Sequence, residues 1–155
     1  MPLPGTAPAK SGYPTVMLES PCSLNVGSVR VDAVVEVATV PLAFADFLPA
    51  STPEAIAAEA HWLQPRFADA SLKYGLLSFH TYVLRSETCT ILVDTCIGND
   101  KDRGGHAGFH RLTTGWLRDL QQLGVAPESV DYVMCTHMHG DHVGWNTRLS
   151  NGRWV

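Results

Sequence analysis

Four residues with metal-binding side chains lie close together near the end of the sequence. They are His137, His139, Asp141 and His142, in the segment His-Met-His-Gly-Asp-His. Imidazole nitrogens and carboxylate oxygens are the usual protein ligands of zinc and similar divalent metals. Three histidines and an aspartate at this density therefore predict a metal site.

The spacing of these side chains indicates how many metals they would hold. In an extended or turning segment His137 and His139 are two residues apart, so they share a face and can reach one metal. Asp141 and His142 follow Gly140 and can turn toward a second position, so the spacing suits two adjacent metals better than one. The helical His-Glu-x-x-His arrangement is absent from the sequence. A single structural zinc, or a polar loop with chance histidines, is the alternative interpretation.

Two apolar strands are predicted to position this segment. Residues 130–135 form a strand that runs directly into the histidine cluster, and residues 90–94 form another that is apolar until its terminal acid. An unbroken apolar run is typical of a central strand covered on both faces. Residues 76–84 alternate loosely and predict a further strand, joined to residues 90–94 by a turn at 85–88.

The segment 26–40 alternates valine and alanine with charged residues. This period of two predicts a strand or hairpin with one face in solvent. We expect the charged residues Arg30, Asp32 and Glu36 to lie on the solvent face, with the valines facing inward.

Two helices are expected between the strands. Pro53, near the first position, predicts a helix that runs to about residue 63 and ends before Pro65. Thr113 or Thr114 is expected to cap a second helix, which Gly124 ends. The mixture of strands and helices predicts the α/β class.

The composition indicates one globular domain. The chain has 155 residues, of which 45% are hydrophobic and 17% charged, and its net charge is −4. Without a cluster of lysine and arginine, the sequence favours a small-molecule substrate over nucleic acid or a membrane surface. The four cysteines form no Cys-x-x-Cys pair, so we expect a reducing, cytoplasmic setting. Residues 1–21 contain no signal-like apolar stretch and are expected to be a flexible leader.

Residues 136–142, followed by Gly144, resemble the Thr-His-x-His-x-Asp-His signature of the metallo-β-lactamase superfamily. The earlier Ile91-Leu-Val-Asp94 resembles the family strand whose terminal aspartate supports the metal loop. Residues 94–103 and 142–147 look closer to the branch of N-acyl-homoserine lactonases and methyl parathion hydrolase. The resemblance implies that residues 22–155 form the first half of an αββα sandwich.

The resemblance also implies an activity, that of a metal-dependent hydrolase of lactone, ester or phosphotriester bonds. His137 and His139 would hold one divalent metal, expected to be zinc, and Asp141 and His142 would hold the other. A hydroxide bridging the two metals would attack the substrate. Asp141 would carry a proton to the leaving group, and Asp94 would orient a metal ligand through a hydrogen bond. Thioesterase and β-lactamase specificities share the signature and stay open.

Further metal ligands are implied downstream of the signature. Family members carry another histidine, a bridging aspartate and a further histidine there, and this sequence does not contain them. The earlier histidines cannot replace them by order; these are His61, His80, His106 and His110. The sequence ends within an expected hairpin strand after Ser150-Asn-Gly-Arg153. The alternative hypothesis is therefore an inactive fragment, or a half-domain that needs a second chain, as in a homodimer, to bind metal.

Three residues outside the signature have two interpretations each. His106 and His110 belong to a polar loop after Asp94, which either covers the substrate pocket or is simply solvated. Trp145, just past the signature, either lines the pocket or packs in the core.

Overall fold

The computed structural model describes residues 23–104 and 108–155, and its main element is a five-stranded sheet. Its strands are β1 Ser23–Val26, β2 Val29–Ala43, β3 Tyr74–Arg85, β4 Thr90–Val93 and β5 Tyr132–Met134. They lie in the order β1-β2-β3-β4-β5, and neighbouring strands are antiparallel except β4 and β5, which are parallel. The expected hairpin follows as β6 Leu149–Ser150 and β7 Arg153–Trp154, with Asn151 and Gly152 at φ 49° and 76°, as a type I′ turn requires.

Short helices accompany the sheet, and the predicted α/β class is confirmed. They are α1 Phe44–Phe47, α2 Pro53–Ala58, α3 Ala60–Leu63 and α4 Trp116–Gln122, with 3₁₀ turns at Pro127–Ser129 and Gly144–Asn146. Within residues 23–104 and 108–155, no helix is long and apolar enough to cross a membrane.

The predicted helix boundaries are partly correct. Pro53 is at the start of α2, and the Thr52 hydroxyl caps it by accepting from the Ala55 amide at 3.2 Å. The structure divides the expected helix into α2 and α3, which ends before Pro65 as predicted. The predicted threonine cap of α4 is wrong: its N-cap is Gly115, which makes no side-chain hydrogen bond. The Thr114 hydroxyl instead lies 3.1 Å from a carboxylate oxygen of Glu36 and 3.1 Å from the side-chain amide oxygen of Asn99.

The prediction that the charged face of β2 is in solvent is correct for Arg30, which is exposed, but wrong for Asp32, and Glu36 is half-buried. Asp32 is fully buried, and Val34, on the same face, is 2% exposed and belongs to the core beneath α4. The charge of Asp32 is compensated by Arg85, 2.5 Å away, and by Arg30, 3.0 Å away. A period of two identifies the residues that share a face, whereas the packing of α4 decides which face is covered.

The core lies between α4 and the central strands. Leu92 of β4 is 4% exposed and packs there, whereas Ile91 and Val93 stay partly exposed. Within the part of the chain that the structure describes, β4 is therefore buried on one face and partly buried on the other, and the expectation of two covered faces stays a prediction. The core cluster is Val34, Val83, Leu92, Cys96, Trp116, Leu120 and Val125. A smaller cluster joins α1–α3 to the sheet and consists of Phe44, Ile56, Leu63 and Ala68.

We expect Asp32→Asn to lower the free energy of unfolding at pH 7 by about 3 kcal/mol, because it removes the counter-charge of Arg85. Burial raises the pKa of Asp32, but hydrogen bonds from Ser23, Arg85 and Arg30 lower it by more. A lowered folded-state pKa stabilises the protein only while the carboxyl is ionised. The difference in the free energy of unfolding between wild type and variant should therefore have its full value above the ordinary pKa of 3.8. It should shrink as the pH falls through the lowered pKa. Urea unfolding of both proteins at pH 7 and at acidic pH measures this difference in stability. A difference that does not change with pH would contradict the prediction.

Candidate metal centre

The four predicted ligands follow the carboxyl end of β5, beside the carboxyl end of β4, because these two strands are parallel. Val93 pairs with Met134, so both strands end at the same place, and the chain continues as Asp94 from one and as residues 135–142 from the other. Ligand sites in sheets with parallel strands form beyond the carboxyl ends of the strands. The strand predicted to lead into the histidine cluster is present, although it is shorter, at Tyr132–Met134.

His137 and His139 form one pair of facing donors. The Nε2 atom of His137 lies 3.1 Å from Nδ1 of His139, and both side chains are exposed. Two nitrogens bound at about 2.0–2.1 Å to one tetrahedral zinc would be about 3.3 Å apart. The 3.1 Å separation therefore fits two ligands of one metal.

Asp141 and His142 form the second pair. The Nε2 atom of His142 lies 3.4 Å from an Asp141 carboxylate oxygen, again close to the separation of two ligands on one ion. The imidazole rings of His137 and His142 are 3.9 Å apart between centroids, so the two pairs are neighbours. The structure thus brings the four predicted ligands together, while their division between two metals stays a prediction.

The pairs do not extend to triads within residues 23–104 and 108–155, where no three His, Cys, Asp or Glu side chains are arranged to hold one ion. Zinc takes four ligands in structural sites, and three protein ligands plus water or substrate in catalytic sites. The chemistry and spacing of the donors fit divalent metals, but each pair accounts for only part of a coordination sphere.

Asp94 contacts one histidine of each pair, His142 directly and His137 through Thr136. Its carboxylate accepts from Nδ1 of His142 at 2.9 Å and from the Thr136 hydroxyl at 2.9 Å. The Thr136 oxygen is in turn 3.1 Å from Nδ1 of His137. Hydrogen bonds at both Nδ1 atoms favour the tautomers that leave the Nε2 lone pairs of His137 and His142 free to bind a metal. Burial raises the pKa of Asp94, but the bonds from His142 and Thr136 lower it by more.

We therefore expect Asp94→Asn to weaken zinc binding by about 10- to 100-fold, since hydrogen bonds that orient metal ligands have effects of this size. Isothermal titration with Zn²⁺ measures the zinc affinity of the variant and of wild type. Asp131→Asn is the matched control, because Asp131 joins β4 and β5 at their other end by accepting from the Thr90 amide at 2.8 Å. Equal zinc affinities in the Asp94 variant and wild type would show that Asp94 does not orient the ligands.

Backbone contacts hold the loop of candidate ligands, residues 136–142 (the metal loop), against the end of β4. Three main-chain hydrogen bonds of 2.8 Å join them: Thr95 to the His142 carbonyl, Gly144 to the Cys96 carbonyl, and Trp145 to the Thr95 carbonyl. Gly144 lies so close to this segment that a Cβ atom would be 2.0 Å from the carbonyl group of Ile97. The two main chains therefore touch where the ligands end, which limits the positions that the loop can adopt.

Arg103 supports the loop from the other side, a role that the sequence did not reveal. Its guanidinium donates to the Gly140 carbonyl at 2.8 Å and to the Ile97 carbonyl at 3.1 Å. The only signal in the sequence was a basic residue in a polar loop, which is not specific.

The remaining residues singled out in the sequence lie apart from the two pairs. His110 contacts Asp102 at 3.4 Å and accepts from the Arg103 amide at 3.2 Å, so it supports the polar loop, whereas His106 lies outside the described residues. Burial lowers the pKa of His80, which stacks edge-on against Tyr82. Trp145 stacks on buried Trp116 with centroids 5.0 Å apart, which favours the packing interpretation.

The family model of the metallo-beta-lactamase superfamily matches residues 75–155, just over half of the chain. No curated protein matches the chain.

Three solved structures share the fold. AidC, a dizinc quorum-quenching lactonase in complex with a product N-hexnoyl-L-homoserine, aligns with a TM-score of 0.58 and 18% identity, over 80% of this chain and 38% of its own. A probable metal-dependent hydrolase from Staphylococcus aureus aligns with a TM-score of 0.60 and 18% identity, over 81% of this chain and 43% of its own. Hydrolase AbOPH in the beta lactamase superfamily aligns with a TM-score of 0.54 and 23% identity, over 79% of this chain and 38% of its own.

The chain spans about two fifths of the length of these structures. At these identities the structural likeness shows the fold, and the family model, which includes the histidine cluster, shows the ancestry. The chain belongs to the metallo-beta-lactamase superfamily.

Proposed function

We propose that this chain provides the metal-binding loop of a dinuclear metal-dependent hydrolase. The observation that carries the proposal is the arrangement of the four donors as two adjacent pairs, with N···N 3.1 Å in one and N···O 3.4 Å in the other. Membership of the superfamily supports the same reading.

In this proposal each residue has a defined task. His137 and His139 hold one metal, and Asp141 and His142 hold the second. Zinc is the expected metal, since imidazole and carboxylate ligands suit it. Two such ions would polarise the substrate oxygen and make hydroxide available near neutral pH.

Asp141 is also proposed to transfer a proton to the leaving group. Its side chain is 24% exposed, so one carboxylate oxygen can face His142 while the group stays accessible to a substrate. Asp94 cannot take this role, because its carboxylate is occupied by His142 and Thr136. Its task is to keep the Nδ1 proton of His142 in place.

The remaining donors are proposed to lie outside the described residues. Each pair supplies two ligands where a catalytic zinc has three from protein, so at least one more donor per metal is required. We propose that they come from further chain of the functional protein, as the resemblance to the family implies.

The proposed substrates are small molecules with lactone, ester or phosphotriester bonds, with neither nucleic acid nor a membrane surface as a partner. The net charge of −4 and the likeness to a dizinc lactonase support this class. A cytoplasmic location remains part of the same proposal.

A second candidate is a half-domain without activity of its own that binds metal only when a second chain completes it. One observation favours it: β5 lies at an edge of the sheet, and its three residues are exposed by 62%, 46% and 57%; these are Tyr132, Val133 and Met134. An exposed apolar edge strand is a template for pairing with another chain.

Hydrolysis with and without metal separates the two candidates. The protein is incubated with Zn²⁺ and offered an N-acyl-homoserine lactone, an aryl ester and a phosphotriester, while native mass spectrometry records metals and chains per particle. Hydrolysis that a chelator abolishes and Zn²⁺ restores would support the hydrolase. Metal bound to dimers without hydrolysis would support the half-domain, and absence of bound metal would contradict both.

A further inference from the structure

A carboxylate in the middle of β2 has contacts that neither the sheet nor the metal ligands explain. Glu36 is half-buried, and four neutral donors surround its two oxygens. They are the amides of Ile97 (2.7 Å) and Gly98 (3.2 Å), the Thr114 hydroxyl (3.1 Å) and the Trp145 indole Nε1 (2.7 Å). These donors come from three segments far from Glu36 in sequence.

The backbone of β2 is irregular at this residue. Val35 pairs with His80 and Val37 pairs with Phe79, so two consecutive residues of β3 face three of β2, and Glu36 is the extra one. A β-bulge of this kind redirects the side chain of the inserted residue and often lies beside a functional site. The bulge therefore presents the carboxylate to the loop after β4.

Three of the four donors lie on the two sides of the contact that holds the metal loop. Gly144 touches the backbone of Ile97 and Gly98, and Trp145 follows it directly. Glu36 binds the amides on one side of this contact and the indole on the other. One carboxylate thus joins the segment after β4 to the segment that follows the candidate ligands.

A carboxylate suits this position because it has two acceptor oxygens and no donor. A glutamine of the same shape would present an NH₂ group to N–H donors, so some of the hydrogen bonds that Glu36 accepts would be lost. Hydrogen bonds to an ionised acceptor are also stronger than those between neutral groups.

We propose that Glu36 is a positioning residue that fixes the metal loop through Trp145 and the Ile97–Gly98 amides. The proposal deepens the proposed function, because the loop it fixes carries the candidate metal ligands. Glu36 itself touches neither metal nor substrate in this role.

Hydrogen exchange tests the proposal without any metal. The amides of Gly144 and Trp145, which bond to Cys96 and Thr95, are the probes, and the amides of β3 are the internal reference. We expect Glu36→Gln to raise the exchange rate of the probes relative to the reference by about tenfold or more, the effect of losing one hydrogen bond to a charged acceptor. An unchanged ratio would overturn the proposal.

Asp32→Asn is the matched control. It removes another carboxylate from the same face of β2, but its partners Ser23, Arg30 and Arg85 lie away from the metal loop. It should reduce overall stability while leaving the exchange ratio unchanged. An equal rise in both variants would show that Glu36 acts only on stability and would overturn the proposal.

Trp145→Phe keeps a ring to stack on Trp116 but removes the indole donor. It should also raise the exchange ratio, and combining it with Glu36→Gln should add little, since both remove the same bond. Fully additive effects of the two substitutions on the exchange ratio would show that Glu36 does not act through Trp145.

Binding of Co²⁺, followed by its visible absorption, connects Glu36 to the metal. The Glu36→Gln variant should bind Co²⁺ about tenfold more weakly than wild type. Unchanged affinity would overturn the positioning role even if the loop exchanges faster. If wild type binds no Co²⁺, the proposed hydrolase site fails, and the exchange ratio still decides whether Glu36 holds the loop.

Discussion

The double substitution His137→Ala/His139→Ala should weaken zinc binding at the first pair by at least about 100-fold. Both imidazoles of that pair are lost, whereas removal of a group that only orients a ligand costs about 10- to 100-fold. The pair is the better defined of the two, with its nitrogens 3.1 Å apart and both side chains accessible. Native mass spectrometry with Zn²⁺ should show the loss of one metal per chain, and isothermal titration gives the change in affinity.

His61→Ala is the control for this experiment. His61 is an exposed histidine of α3, so it tests whether zinc binds adventitiously to imidazoles on the surface. The control should bind as wild type does. Equal losses in the control and the double variant, or no loss in either, would show that the histidine pair is not a metal site.

Gly144→Ala should have the largest effect on stability, a loss of about 3 kcal/mol or more in the free energy of unfolding. The added Cβ would lie 2.0 Å from the carbonyl group of Ile97 and 2.4 Å from the Gly98 amide. These are backbone atoms, so the two segments must separate, which breaks the bonds to Cys96 and Thr95 at about 1 kcal/mol each. Overpacking adds about 1–3 kcal/mol. Urea denaturation measures the change.

Gly108→Ala is the matched control, because no atom of the residues that the structure describes lies within 4 Å of its added Cβ. It should change stability by no more than about 0.5 kcal/mol. The Gly144 variant should also bind zinc more weakly, since its loop is displaced. A Gly144 variant as stable as the control would mean that the contact with Ile97 relaxes without cost.

The candidate ligands could be singled out from local sequence because they lie within one short segment. His137, His139, Asp141 and His142 lie within one short segment, and both their chemistry and their spacing are visible in the printed residues. The helix beginning at Pro53 was predictable for the same reason, since Thr52 caps it within one turn. The residues that hold the loop were not, because their contacts join distant parts of the chain.

The polar residues of β2 show where the sequence pattern was insufficient. Alternation placed Asp32 and Glu36 on one face, and solvent seemed the natural environment for carboxylates. Asp32 is fully buried because Arg85, from β3, supplies its counter-charge. Glu36 is half-buried because Trp145 and the Ile97 amide reach it from other segments. Neither partner is close in sequence, so no local rule could reveal them.

The sequence by itself determined the family and singled out the candidate ligands, because side chains that suit a metal are recognised by their chemistry over a few residues. Only the tertiary structure decided how that loop is held. The parallel pairing of β4 and β5 brings Asp94 to the histidines, and the contact of Gly144 with Ile97 joins the loop to the sheet. Such contacts depend on strand order and on which face α4 covers, and these follow from the packing of the whole chain.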